Sequence, residues 1–327
     1  MLIIRRNTTD PFFNIAAEEY ILKHFDEDTF ALWRNDKSII VGKHQNTLAE
    51  INQEYVHMNN IKVVRRLSGG GAVFHDLGNL NFTFTQSSVS ENLINFRKYT
   101  QPILDVLQLM GVDARFEGRN DLTIDGRKFS GNAMHIWKNK VLHHGTLLFS
   151  SEIPDLSAAL NADPSKFADK SVKSVRSRVT NIQEHLKEEM GVMEFADRIE
   201  TFIVKQNPDA RLYELTGEDI QEIQKLRDEK YATWEWNFGY SPRYNFRKVT
   251  RTTGSGTIEI NLDVHDGVIQ QVKFFGDYFG ILDSEEIEKA LAGIRHQYDS
   301  VADVLDSFDL SKYFANLNRE EFIPGFF

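Results

Sequence analysis

The segment RRLSGGGAVFHD, Arg65 to Asp76, sets three consecutive glycines between two arginines and an apolar run. Glycine costs roughly 0.5–1 kcal/mol more than alanine to order inside an element. Gly69, Gly70 and Gly71 together therefore demand either a tight turn or a backbone laid directly against a ligand. The preceding IKVVRR reads as a strand that runs into the glycines. Backbone N–H groups in such a loop approach phosphate or carboxylate oxygens without a Cβ in the way. Arg65 and Arg66 can add bidentate, charge-assisted contacts. A bulged hairpin with exposed arginines accounts for the same residues, and spacing alone leaves both readings open.

The pattern around the loop fixes the fold class. TTDPFFNIAAEEYILKHF predicts a helix capped by Asp10, with Pro11 in its first turn. FALWRN and SIIVG read as short buried strands, and NLNFTFTQ alternates like a half-buried one. NLINFRKYTQPILDVLQLMG is a helix with Gly111 as its stop. Asp125-Gly126 is a hairpin turn between two strands, and HHGTLLF is a further strand. From Asp155 to about Lys230 the pattern is mainly helical. WEWNFG, Trp234 to Gly239, is an aromatic cluster, and a boundary follows near YSPRYNFR. The tail carries a hairpin turning at His265-Asp266-Gly267, then short helices. Neighbouring strands and clustered helices predict an α+β fold with a mixed, largely antiparallel sheet and flanking helices. The division expected is a catalytic domain over 1–245 and a small C-terminal α+β accessory domain over 246–327. No internal repeat or low-complexity segment is visible.

Composition narrows the function. With 327 residues, 41% hydrophobic and 26% charged, the chain suits a soluble globular protein. Its apolar runs fall short of the roughly 20 residues that span a bilayer, and the N-terminus lacks a secretory pattern. No cysteine is present, which excludes disulfides, zinc-thiolate sites and thiol nucleophiles and agrees with a cytoplasmic location. A net charge of -10 argues against a nucleic-acid partner. Against that background Ser165 to Val179 is basic, with Lys166, Lys170, Lys173, Arg176 and Arg178 opposed only by Asp169. A solvated loop explains it as simply as a binding element does.

Standard nucleotide and hydrolase signatures are missing: no Walker loop, no Gly-x-Gly-x-x-Gly opening a helix, no His-Glu-x-x-His, no Gly-x-Ser-x-Gly. Two other segments carry possible chemistry. In GRNDLTIDGRKFSGNA, Asn120-Asp121 starts one strand and Lys128 starts the next, so a hairpin can aim a carboxylate and an ammonium into one cleft. A surface salt bridge fits equally. In VLHHGTLLF, His143 and His144 are adjacent on a strand and point to opposite faces. They cannot easily share a metal, and a structural role suits either.

Taken together, RRLSGGGAVFHDLGN, GRNDL, KFSGNA, HHGTLLF and SVRSRVTNI, with WRN, VGKHQN and WEWNFG, resemble the lipoate–protein ligase A family over roughly Phe12 to Tyr240. The resemblance implies a fold similar to biotin ligases and class II tRNA synthetases, with a small C-terminal domain. It implies activation of lipoate with MgATP to lipoyl-AMP, release of pyrophosphate, and transfer of the acyl group to a lysine of a lipoyl domain. Acceptors would be 2-oxoacid dehydrogenase E2 subunits, the glycine cleavage H protein, or both. ATP and lipoate would be substrates and magnesium the metal, with no tightly bound prosthetic group. By the same resemblance Arg66, Gly71, Ala72, Val73, Phe74, Lys128, Ser174 and Arg176 would bind ATP or the adenylate. Arg65, Gly69, Gly70, Gly71, Lys128, Ala133 and His144 would meet lipoate. Lys128 would touch both carboxyl and phosphate and act in catalysis. Asp121, with Asn120 nearby, would take magnesium, and Ser171 to Arg178 would fold over the adenylate. Many relatives carry a second serine where Leu67 stands, so any polar contact from that side chain is lost. An octanoyltransferase of this fold would use a cysteine that is absent, and a biotin ligase would need a Gly-Arg-Gly-Arg signature. A non-catalytic lipoate-binding or scaffolding relative is the remaining alternative, opposed by retention of Lys128 and Asp121.

Overall fold

In a computed structural model the described residues are 1–87, 95–160, 167–168, 179–252, 255–278 and 280–327. The strands are β1 (Leu2–Arg5), β2 (Thr29–Trp33), β3 (Ser38–Val41), β4 (Lys62–Arg65), β5 (Val73–His75), β6 (Asn79–Gln86), β7 (Ala114–Glu117), β8 (Asp121–Ile124), β9 (Arg127–Trp137), β10 (Lys140–Leu148), β11 (Phe167–Ala168), β12 (Arg211–Glu214), β13 (Tyr244–Thr252), β14 (Gly256–His265) and β15 (Val268–Gly276). The helices are α1 (Pro11–His24), α2 (Thr47–Glu50), α3 (Gln53–Met58), α4 (Phe96–Leu109), α5 (Ile153–Ala159), α6 (Val192–Gln206), α7 (Gly217–Leu226), α8 (Glu285–Leu291), α9 (Tyr298–Asp306) and α10 (Arg319–Phe322). They cluster into two compact units, one of 1–43, 62–157 and 174–233, the other of 44–61, 158–173 and 234–327.

The first unit is built on an eight-stranded sheet in the order β12-β1-β2-β6-β10-β9-β8-β7. Pairings are parallel on both sides of β1 and antiparallel from β2 to β7. This is the mixed, largely antiparallel α+β architecture expected. One apolar face is buried under α4 and α6: Phe30, Leu80, Phe82, Phe129 and Leu147 pack with Ile103, Leu107, Phe195, Ile199 and Ile203. Helix α1 lies on the opposite face, where Thr83 donates to Glu18. A separate three-stranded sheet, β4-β3-β5, carries the glycine loop between its two outer strands.

Local chemistry explains the element ends. Asp10 caps α1 by accepting from Phe12 N, with Pro11 at the first helical position. The β8–β9 turn places Asp125 and Gly126 at positive φ, +50° and +70°, the conformation an Asp-Gly turn supplies. Within the helical stretch 155–230 the structure also contains β12, which the local pattern does not signal. It pairs with β1 as a parallel edge strand.

The second unit holds the antiparallel meander β13-β14-β15, with β11 on its outer edge. Tyr244, Phe246, Ile260, Leu262, Ile269 and Phe274 are buried with Phe314, Phe322 and Phe326. The expected hairpin turn falls at Asp266-Gly267, both at positive φ.

Candidate active site

The glycine loop is organised around one side chain. Arg66 Nη2 donates to the carbonyls of Gly69 at 2.7 Å and Gly71 at 2.8 Å, Nη1 donates to Ile40 O at 2.9 Å, and Nε donates to Ser68 Oγ at 2.9 Å. The loop therefore wraps its carbonyls onto the guanidinium. Among the described residues nothing accepts from the N–H groups of Gly69, Gly70 or Gly71. Gly70 sits at φ +92°, and a Cβ there would meet Arg66 Nη2 at 3.1 Å. The triplet is thus a turn whose donors have no acceptor among the described residues.

The arginines are not the exposed ones of the bulged-hairpin reading. Arg65 is fully buried, and its Nη1 donates to Gly42 O and Lys43 O at 3.1 and 3.0 Å. Arg66 is also buried, and burial pushes its guanidinium down to about 10 while nearby Glu18 opposes the shift. Both guanidinium groups donate to backbone carbonyls, Arg65 to those after β3 and Arg66 to Ile40 and to the loop's own Gly69 and Gly71. Ala72 and Val73 are half-buried where the chain enters β5, and Phe74 is buried.

Lys128 lies across the β8–β9 hairpin from Asp121, with Nζ 2.8 Å from Oδ1 and both side chains about a third exposed or less, 26% and 33%. Gly131 makes room for it, since a Cβ there would lie 3.2 Å from Lys128 Cε. The Lys128 backbone pairs with Val179, and Thr180 N donates to its carbonyl at 3.0 Å. Asn120 is occupied differently: its Nδ2 donates to Asn132 O, and Asn132 Nδ2 returns a bond to Asn120 O. Only the Asp121 carboxylate of that pair faces Lys128. Among the described residues no group of three or more histidine, aspartate or glutamate side chains converges on a metal position. Ser174, Arg176 and most of the basic segment Ser165 to Val179 lie outside the described residues.

The two histidines fall on opposite faces of β10, as their adjacency requires. His143 is fully buried on the α4 side, stacked on Tyr99 at 5.0 Å, and burial holds its imidazole well below the usual range. His144 is opposite Ala133 on the other face, 2.6 Å from Ser68 Oγ. The loop and the lysine thus converge on one face of β9 and β10: Ser68 meets His144, His144 is opposite Ala133, and Gly131 beneath Lys128 is two residues along.

Three side chains here carried no sequence signal. Glu18 is one carboxylate of AAEEY, yet it is buried against His144. Ser68 and His75 are within the glycine motif but the pattern gives neither a role of its own. His75 is buried with Nε2 unpartnered, and burial, with Arg66 and His144 nearby, pushes it down to about 3.

Comparison with known proteins places this geometry. Residues 10–204 match the model of the lipoyl protein ligase A/B catalytic domain, and residues 241–324 match that of the bacterial lipoate protein ligase C-terminus. The chain is similar to lipoate–protein ligase 1 of Staphylococcus aureus, 44% identical over 98% of each chain. It is similar in structure to a lipoate–protein ligase A bound with ATP, with TM-score 0.64 and 26% identity over 73% of this chain and 98% of that one. It is equally similar, at TM-score 0.64 and 26% identity over 73% and 96%, to the bi-partite lipoate protein ligase of Thermoplasma acidophilum, described with its E2 lipoyl domain.

Proposed function

The chain belongs to the lipoate–protein ligase family, and on that premise we propose that it joins lipoate to a lysine of a lipoyl-domain protein in two steps. In the first, a lipoate carboxylate oxygen attacks the α-phosphorus of ATP, the bond to pyrophosphate breaks, and lipoyl-AMP forms. In the second, the acceptor lysine attacks the acyl carbon and AMP leaves. The observation that supports this best is the convergence of the unpaired Gly69–Gly71 N–H groups and the Lys128 ammonium on one sheet face. Two anions must approach each other in the first step, and fixed donors aimed at the developing charge lower that barrier most.

Within this reading Lys128 bridges the lipoate carboxylate and the phosphate. Gly71, Ala72, Val73 and Phe74 meet the nucleotide through backbone, with Arg66 shaping the loop. Ser174 and Arg176 complete the nucleotide set. Gly69, Gly70, Ala133 and His144 line the acyl side, and Arg65 supports them from beneath. A magnesium ion would be held by Asp121, with Asn120 nearby. One partly exposed carboxylate suits a cation that takes its other ligands from phosphates and water, and when bound it would offset triphosphate charge. We assign this chemistry to 1–245 and an accessory role to 246–327. Acceptors are the E2 subunits of 2-oxoacid dehydrogenases, the glycine cleavage H protein, or both. No helix of the described residues is long and apolar enough to cross a membrane, and the absence of cysteine supports a cytoplasmic site of action.

The decisive experiment is lipoate-dependent exchange between ATP and pyrophosphate, followed by a panel of apo lipoyl domains and apo H protein. Exchange that requires lipoate, with acyl transfer to an acceptor lysine, is the expected result. Lipoate binding without exchange would leave a non-catalytic relative.

A further inference from the structure

Behind the glycine loop lies a row of buried polar groups, of which the reaction above leaves Glu18, Ser68, Thr83 and Trp33 without a role. Ser68 Oγ is 2.6 Å from His144 Nε2, and His144 Nδ1 is 2.9 and 3.1 Å from the two Glu18 oxygens. Glu18 Oε1 also accepts from Thr83 Oγ1 at 2.6 Å, and Thr83 Oγ1 accepts from Trp33 Nε1 at 2.9 Å. At the other end Ser68 Oγ accepts from Arg66 Nε. Ser68, Glu18 and His144 are all buried. Burial works against the Glu18 charge, yet His144, Arg6 and Thr83 hold its carboxyl below the usual range.

For a neutral His144 imidazole the direction of every bond follows from chemistry. A guanidinium only donates and a carboxylate only accepts. His144 therefore turns Nδ1–H toward Glu18 and accepts at Nε2 from the Ser68 hydroxyl. The Ser68 oxygen in turn accepts from Arg66. One arrangement satisfies all six groups from Trp33 to Arg66.

An acid, a histidine and a serine in a row, beside unpaired glycine N–H groups, have the outline of an acyl-transfer nucleophile. Two observations turn Ser68 away from that role. Its Oγ already receives the Arg66 N–H, and the residue is 1% exposed. What the row does reach is the guanidinium that sets the loop. We propose that Glu18 and Ser68 are positioning residues for adenylation: Glu18 holds His144, His144 holds Ser68, and Ser68 fixes Arg66, which holds the Gly69 and Gly71 carbonyls so that the loop N–H groups face the phosphate. This deepens the reading under Proposed function and rests on it.

The test is ATP–pyrophosphate exchange by Ser68→Ala, Ser68→Thr, Glu18→Gln and the Ser68→Ala/Glu18→Gln double variant, each with its melting temperature. Ser68→Ala and Glu18→Gln should each lower kcat/KM for ATP roughly 10–100-fold, the range seen when a supporting hydrogen bond is removed from behind a site. KM for ATP should rise and kcat fall together. Ser68→Thr keeps the hydroxyl and should recover most of the loss. The double variant should be little worse than the worse single one, although Ser68 and Glu18 share no hydrogen bond. Multiplicative losses, or wild-type kinetics in folded Ser68→Ala, would overturn the proposal. So would a lipoyl ester on Ser68 by intact mass during turnover, which would make it the nucleophile. If Glu18→Gln does not fold, Ser68→Ala against Ser68→Thr still decides, because loss without recovery by threonine contradicts a hydroxyl relay. If the wild-type protein shows no lipoate-dependent exchange, the proposed function fails instead. Equilibrium ATP binding to Ser68→Ala and wild type then tests the relay alone, with equal affinity counting against it.

Discussion

The two faces of the eight-stranded sheet obey different rules. Toward α4 and α6 the strands present Phe30, Leu80, Phe82 and Leu147, which need only shape to be buried well. Toward α1 the same strands present Thr29, Trp33, Thr83, Thr85 and His144, buried as thoroughly but polar or half-polar. A buried polar group is costly unless it is bonded, so that face is held by a specified row of donors and acceptors. Alternation along each strand keeps the two apart by one residue, as His143 and His144 show. The apolar face carries stability and the polar face carries the candidate chemistry.

Substitutions on each face should therefore fail in different ways. Phe82→Ala removes a fully buried ring from the apolar face and should cost about 3–5 kcal/mol of unfolding free energy. Protein that remains folded should keep its affinity for ATP. A folded Phe82→Ala protein that loses exchange more than stability would break the division.

Lys128→Ala should do the reverse. The side chain is partly exposed, so the melting temperature should hardly move. Removing one charge from the reacting centre should slow lipoate-dependent exchange by roughly 10²–10³. Near-normal exchange by the folded variant would take Lys128 out of the mechanism.

Thr83→Val tests the polar face for stability rather than rate. The shapes match, but Glu18 loses a donor and Trp33 Nε1 loses its acceptor. The expected cost is about 1–3 kcal/mol, the price of leaving buried groups unpaired. A neutral or stabilising outcome in denaturant unfolding would mean that this face tolerates apolar replacement as well as the other.

The difference between the faces also explains what the sequence reveals. The apolar face was legible, because alternating NLNFTFTQ and HHGTLLF state it directly. So were elements whose ends are local, such as the Asp10-Pro11 helix start and the turns at Asp125-Gly126 and Asp266-Gly267. The glycine loop was recognisable as a tight turn, and Lys128 and Asp121 pair across the hairpin as one of the two readings allowed. Strand β12 was not legible: RLYE is short and mostly exposed, and its partner β1 lies some two hundred residues earlier. The inward turn of Arg66 was hidden for a related reason. A guanidinium beside glycines reads as a free cation until the loop's carbonyls are seen closing on it. Glu18 depends on His144, which no local pattern ties to it.

The smallest effect separates the adjacent histidines by pH. His143 lies on the apolar face with Nδ1 buried and unpartnered, and burial lowers its affinity for a proton well below the ordinary value. The unfolded chain restores the ordinary value, near 6.5. Below that pH the unfolded state binds a proton that the folded state refuses, so stability falls as pH falls. The loss is about 1.4 kcal/mol per pH unit for one such histidine. His75 and His296 act in the same direction until they too protonate when folded, near 3 and near 4. The depressed carboxylates Glu18, Glu19 and Asp219 contribute stability that is lost only at lower pH, once the carboxylate range is reached. Denaturant unfolding between pH 6.5 and about 5 therefore isolates the histidines. His143→Gln keeps a donor for Asn132 Oδ1, which His143 Nε2 contacts at 3.2 Å, and removes one titrating group. Its unfolding free energy should depend on pH less steeply than the wild type's by that same amount per unit. An unchanged slope would show that His143 already titrates normally in the folded protein, and the apolar face would then be wetter than its packing indicates.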